Sequence, residues 1–254
     1  MVTVADTAYS IAVVRSEETA RPPRERLFED PYASIFAAAG EHAREATERF
    51  VALPFFREGI RLRTRFNDDA VREGLRAGLG QVVLMGAGFD ARGLRMPEIE
   101  AAGARVFEID FAHQLETKRG LLAAAGVAIP AHVHHVACDF GVPDFDVALE
   151  TALVEHAFRV GAGAVYVWEG VTPYIGKAAI DRSLAFMARL GGPGSRVVFD
   201  VAESVLEPDT VARCTARAGF ATCDEIGFDQ LWQRHFEGEP HPVAALLRAA
   251  IAMV

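Results

Sequence analysis

The apolar positions of this chain follow two alternating periods. Short apolar runs at residues 81–85, 105–109, 132–137, 164–168 and 195–201 read as strands. Val82 to Met85 is apolar without interruption, as a strand covered on both faces of a parallel sheet is. Longer stretches between the runs carry apolar residues every third or fourth position. Ile180, Leu184, Met187 and Leu190, for example, share one face of a helix over 177–190. Strands alternating with helices predict an α/β fold, a doubly wound and mostly parallel sheet.

Residues 1–80 read as a helical N-terminal extension or lid, and residues 81–254 as the sheet domain. Helices are predicted over 5–18, over 41–53 up to Pro54, and over 55–77, where Phe56, Ile60, Phe66, Val71 and Leu75 recur at helical spacing. Another starts at Asp30-Pro31, with Asp30 as N-cap. Beyond the last run, helices are expected over 209–218, closed by Gly219, and over 228–236. Residues 244–254 permit an added edge strand or a helix.

Composition narrows the function. Half of the 254 residues are apolar, enough for one large core, and the net charge of −9 argues against a nucleic-acid or membrane-surface binder. No apolar run approaches the ~18 residues of a membrane span. The N-terminus, Asp6 among its polar residues, shows no signal-peptide pattern. Cys138, Cys214 and Cys223 lack C-x-x-C spacing, so free thiols in a reducing cytoplasm are expected. Lys118 and Lys177 are the only lysines; that bias describes the source, not the function.

The chemistry gathers at the strand ends. Gly86-Ala87-Gly88-Phe89-Asp90 turns sharply after the first strand and lets a ligand approach the backbone. A helix over 91–102 would then aim its free N–H groups at that ligand. Acids follow four strands in succession: Asp90, Asp110, Asp139 and Glu169. Two ligands fit. Gly86 to Ala91 satisfies the dinucleotide pattern G-x-G-x-x-A, and Asp110 lies where a ribose-binding acid is expected. The other is S-adenosyl-L-methionine, which shares the ribose but carries a sulfonium and no pyrophosphate. Asp90 inside the turn repels a pyrophosphate, so charge favours the methyl donor. The Tyr-x-x-x-Lys spacing of short-chain reductases is missing at Tyr174-Ile175-Gly176-Lys177, and no G-x-S-x-G elbow is present.

In Arg61-Leu62-Arg63-Thr64-Arg65-Phe66-Asn67-Asp68-Asp69 the three arginines cannot share one helix face. They read as a solvated helix paired to Asp68 and Asp69, or as a helix with one arginine turned inward onto a carboxylate. His132, His134, His135 and Cys138 read as structural, not as metal ligands, because the strand turns His135 away from the other two histidines. His113 reads as a surface residue before it reads as a base, and Trp168 as core or as a pocket wall.

Taken in order, Phe28 to Ala33, Arg63-Thr64-Arg65, Gly86 to Arg92, Val106 to Asp110, Asp139-Phe140 and Glu169-Gly170-Val171 resemble the S-adenosylmethionine-dependent methyltransferases of the leucine carboxyl methyltransferase group. The resemblance runs over about residues 8–203 and is nearest to the bacterial branch, which includes polyketide O-methyltransferases of secondary metabolism. It implies the Rossmann-like fold of class I methyltransferases and, in that class, an antiparallel last strand. It implies that Arg63 binds the methionine carboxylate, that Gly86 and Gly88 line the turn, and that Asp110 takes the ribose hydroxyls. Asp139 and Phe140 would flank the adenine, Phe111 is a further cofactor-binding candidate, and Glu169 would lie near the methionine end. Arg15 matches a basic residue near the cofactor. Tyr174 and His113 are the candidates for the acceptor pocket. Ala112 and Ala91 depart from the family's proline and threonine without removing a charge. The expected reaction is O-methylation of a carboxylate or hydroxyl on a small-molecule acceptor. An NAD(P)-dependent oxidoreductase and a non-catalytic cofactor binder are the alternatives.

Overall fold

The uninterrupted apolar run forms the central strand, β1 (Gln81–Met85), buried along its whole length. The computed structural model describes residues 4–254, with side chains from residue 7 onward except that of His42; the reading of the N-terminus around Asp6 lies outside the described side chains. β1 pairs in parallel with β2 (Arg105–Asp110) on one side and β4 (Val165–Trp168) on the other. β3 (Val133–Ala137) extends the sheet beyond β2, and β5 (Arg196–Ala202) beyond β4. Two further strands, β6 (Thr222–Gly227) and β7 (Leu247–Met253), complete seven in the order β3-β2-β1-β4-β5-β7-β6.

The C-terminal apolar stretch is thus a strand, but an interior one. β7 runs antiparallel between β5 and β6, hydrogen-bonded on both sides. The edge position belongs to β6, which sequence reading missed. Thr222, Asp224 and Glu225 are exposed, so its alternation is broken by the charges that suit a solvent edge.

Helices cover both faces. Four precede the sheet: α1 (Val4–Thr19), α2 (Ala33–Ala39), α3 (Arg44–Val51) and α4 (Phe56–Arg76). Between β1 and β2 lie α5 (Arg92–Arg95) and α6 (Pro97–Ala101). The crossovers that follow are α7 (Ala112–Ala124), α8 (Phe145–Glu155) and α9 (Lys177–Gly191). After β5 come α10 (Glu203–Leu206), α11 (Val211–Ala218) and α12 (Phe228–His235). The period of two along each strand divides the core. Val83, Met85, Tyr166 and Phe199 face α8 and α9 through Leu149, Leu184 and Met187. Val82, Leu84, Val165 and Val198 face α4 and α6 through Val71 and Ile99. α4 lies so close to the sheet that a Cβ on Gly74 would come within 2.2 Å of Val165 Cγ2.

Local chemistry moved three boundaries. The expected helix over 91–102 is two short ones, because Pro97 cannot donate a backbone hydrogen bond. Asp30 does receive backbone N–H groups, from Tyr32 and Ala33 at 3.2 Å each, but α2 begins only at Ala33. A 3₁₀ turn, Gly40–Ala43, delays α3 to Arg44.

Candidate functional site

The turn after β1 is built on two left-handed glycines, Gly86 at φ 72° and Gly88 at φ 49°. Its amides bond to the end of β2. The N–H groups of Gly86 and Ala87 donate to the Ile109 carbonyl at 2.8 and 2.9 Å. That of Gly88 donates to Asp110 Oδ2 at 2.6 Å. Asp110 Oδ1 accepts from the Phe111 N–H at 2.7 Å. Burial pushes the Asp110 carboxyl above its ordinary range, against the pull of these two bonds. Gly86 is also required sterically, since a Cβ there would sit 2.4 Å from Val171 Cγ2.

A cavity of about 550 Å³ opens beside this turn, beyond the C-terminal ends of the strands and beneath α1. Asp110, Phe111, Asp139 and Phe140 line one end. Asp139 accepts the Gly141 N–H at 2.8 Å, and Phe140 packs edge-on against Phe145. Phe111, 37% exposed, lies flat against His113 with centroids 5.5 Å apart. Arg63, Glu169, Gly170 and Tyr174 line the other end. Both proposed acceptor residues line this cavity, but from different sides of β1: His113 follows β2, whereas Tyr174 follows β4. Tyr174 Oη donates to Thr7 Oγ1 of α1 at 3.1 Å. Trp168 is wholly buried in the core.

Glu169 does not face the cavity as a free anion. Its Oε1 accepts from Arg15 at 2.8 Å and from Arg63 Nε at 3.1 Å. Its Oε2 accepts from Asn67 at 2.9 Å and from Arg92 at 3.0 Å. Burial alone would raise its pKa, but Arg15, Arg92 and Arg63 hold it well below the usual carboxylate range. Asp90 is likewise spent: its carboxylate bonds the Arg92 guanidinium and caps the Arg92 N–H at 2.8 Å. Two of the four strand-end acids are thus internal counter-ions, which corrects the expectation that all four present negative charge to a ligand. The same Asp90 cap occupies an N–H that was expected to point at the ligand.

Arg63 also reaches Asp200 Oδ2 at 3.3 Å, and Asp200 Oδ1 accepts the Gly170 N–H at 2.8 Å. Burial pushes the Asp200 carboxyl up despite Arg63. The arginine-rich helix is no solvated surface. Arg61 is buried on Glu18 and over the Phe236 ring, Arg63 points to the site, and only Arg65 pairs outward, with Asp69. Asp68 is fully buried against Arg92 and Arg95. Asn67, Arg92 and Asp200 went unread in the sequence. Asn67 was legible: it follows Arg63 by four residues on the same helix face. Asp200 was a lone acid within an apolar strand run.

Two buried donors on the cavity wall, Arg15 Nε and Gln114 Nε2, have no partner among the described residues. They suit a ligand with acceptor oxygens, and the glycine turn leaves room for its backbone approach. His132, His134 and His135 go separately to the Gly93 carbonyl, the Phe107 ring and Glu108.

A family model described as leucine carboxyl methyltransferase matches residues 8–188. A protein of Parafrankia sp. (strain EAN1pec), provisionally named an S-adenosyl-L-methionine-dependent methyltransferase, is 33% identical over 210 residues, covering 80% of this chain and 65% of its own length. One of Frankia alni with the same provisional name is 34% identical over 223 residues, covering 85% of this chain and 75% of its own. The chain thus spans about two thirds of the length of such relatives. The crystal structure of a provisionally named methyltransferase from Thermobifida fusca superposes at TM-score 0.52 and 14% identity, over 99% of this chain and 94% of that one. That likeness shows the fold, a Rossmann-like α/β sheet of the class I methyltransferase type.

Proposed function

This chain belongs to the leucine carboxyl methyltransferase family, and from that premise we propose that it methylates an oxygen of a small molecule, a carboxylate or hydroxyl, using S-adenosyl-L-methionine. The observation that carries the reading is the state of the glycine turn. The N–H groups of Gly86, Ala87 and Gly88 are already bonded to Ile109 and Asp110, so they are not available to cradle a pyrophosphate, whereas Asp110 remains placed for ribose hydroxyls. This favours the methyl donor over a dinucleotide.

When bound, S-adenosyl-L-methionine supplies a methyl group made electrophilic by its sulfonium. Asp110 would accept hydrogen bonds from the ribose, and Phe111, Asp139 and Phe140 would hold the adenine. Arg63 and Arg15 would take the carboxylate end, with Glu169 acting as their positioning residue. α1, tied to Tyr174 through Thr7, would help to shield the reacting atoms from water. The residues of the cavity would hold an acceptor oxygen in line with that methyl group. A carboxylate acceptor is already ionised and needs no base. Ile11, Val171 and Ile175 give the wall near Tyr174 an apolar character that suits an aryl or polyketide acceptor.

Calorimetric titration with S-adenosyl-L-methionine tests the site. Binding is expected, and it should weaken at least tenfold in Asp110→Ala and in Arg63→Ala, as the loss of a charge-assisted bond implies. Release of demethylated cofactor with a panel of carboxylic acids and phenols tests the reaction. Equal binding by both variants would overturn the site.

A further inference from the structure

Gln114 is buried, 6% exposed, on a helix face otherwise given to Leu115, Lys118 and Leu122. Its Nε2 has no partner among the described residues, although leaving a buried amide unsatisfied is costly. The geometry of α7 says where that amide points. Lys118, four residues on and hence on the same face, bonds Glu108 at 2.6 Å and the Asp90 carbonyl beneath the glycine turn. Gln114 stands one turn, about 5.4 Å, nearer the strand ends, where it lines the cavity. Its own N–H donates to the Phe111 carbonyl at 3.0 Å, which fixes it at the Asp110 end.

We propose that Gln114 is a cofactor-binding residue whose amide donates to a ribose hydroxyl oxygen held by Asp110. This inference rests on the S-adenosylmethionine reading of the cavity. A ribose hydroxyl that gives its proton to a carboxylate keeps lone pairs for a donor. Asp110 is an acceptor only, with both oxygens already receiving backbone N–H groups. The unpaired amide complements it. The pair recognises a ribose by one acceptor and one donor, and a ligand without the hydroxyl leaves the amide buried and unpaired.

The test uses the full chain, with S-adenosylhomocysteine and its 2′-deoxy and 3′-deoxy analogues as titrants. Gln114→Leu should weaken the parent compound about tenfold, the value of roughly one hydrogen bond. For one of the two deoxy analogues the penalty relative to the parent should shrink in the variant. The melting temperature of the ligand-free variant should hold or rise, because the substitution removes an unsatisfied buried group. A merely structural glutamine would lower it. Gln114→Met provides the same readouts should the leucine not fold. Parent binding within twofold of wild type, or unchanged penalties for both analogues, would overturn the inference alone. Failure of the wild-type chain to bind S-adenosylhomocysteine would overturn the cofactor reading and the inference with it.

Discussion

Tyr174 Oη donates to Thr7 Oγ1 over 3.1 Å, joining residues 167 positions apart in the chain. The bond ties the segment after β4 to the helix that covers the cavity. Arg15, two turns further along α1, repeats the tie through Glu169. Helix and sheet are therefore fastened across the site at two points, one neutral and one charged.

Removing the neutral fastening should loosen closure without unfolding the chain. Tyr174→Phe deletes one hydrogen bond, about 1 kcal/mol, at a residue 44% exposed. The expected result is a several-fold faster release of S-adenosylhomocysteine with a melting temperature lowered by no more than about 4 °C. Stopped-flow displacement measures it, and an unaltered release rate would show that α1 does not gate the cavity.

Arg92 carries the opposite expectation. It is fully buried and bonds Asp68, Asp90 and Glu169 together. Arg92→Met leaves three carboxylates short of a counter-ion, and stability should fall by about 3–5 kcal/mol. Urea unfolding gives the value. A loss below about 1 kcal/mol would mean that the acids find other partners.

The same cluster sets the acid limb of stability. Arg95 and Arg92 overcome the effect of burial and hold Asp68 at about 2, and Glu169 also lies well below its ordinary range. Both folded values are depressed, so the unfolded chain binds protons first as the pH falls. Their stabilisation is complete above the unfolded values near ~4 and is lost as the pH drops through the folded values. Unfolding free energy should therefore decline from about pH 4 toward pH 2, and Asp68→Asn should flatten that decline. An unchanged slope in the variant would remove Asp68 from the account.

Gly86 tests strain and contact separately. Alanine there must adopt a φ of 72° and meet Val171 Cγ2 at 2.4 Å. Gly86→Ala should destabilise the chain and weaken cofactor binding. Adding Val171→Ala removes the contact but not the left-handed backbone, which costs about 1–2 kcal/mol. The double variant should recover part of the stability and no more. Full recovery would assign the whole effect to the side chains, and no recovery would assign it to the backbone.

Much of the fold was legible because strand burial and helix amphipathicity are local periodicities. The five parallel strands and α4 and α9 follow from them. β6 was hidden because an edge strand tolerates the acids that erase its alternation. β7 was ambiguous because its alanines suit helix and strand alike, and its place between β5 and β6 is a matter of pairing, which no single segment encodes.

The chain by itself determined which charged residues stand at the strand ends, since that depends only on where each apolar run stops. It could not determine which of those charges face a ligand. Asp90 and Glu169 read the same as Asp110, yet they are neutralised by Arg92, Arg15 and Arg63, which come from other elements. A buried carboxylate is free or spent according to the cations within about 4 Å of it, and only the packed tertiary structure brings them there.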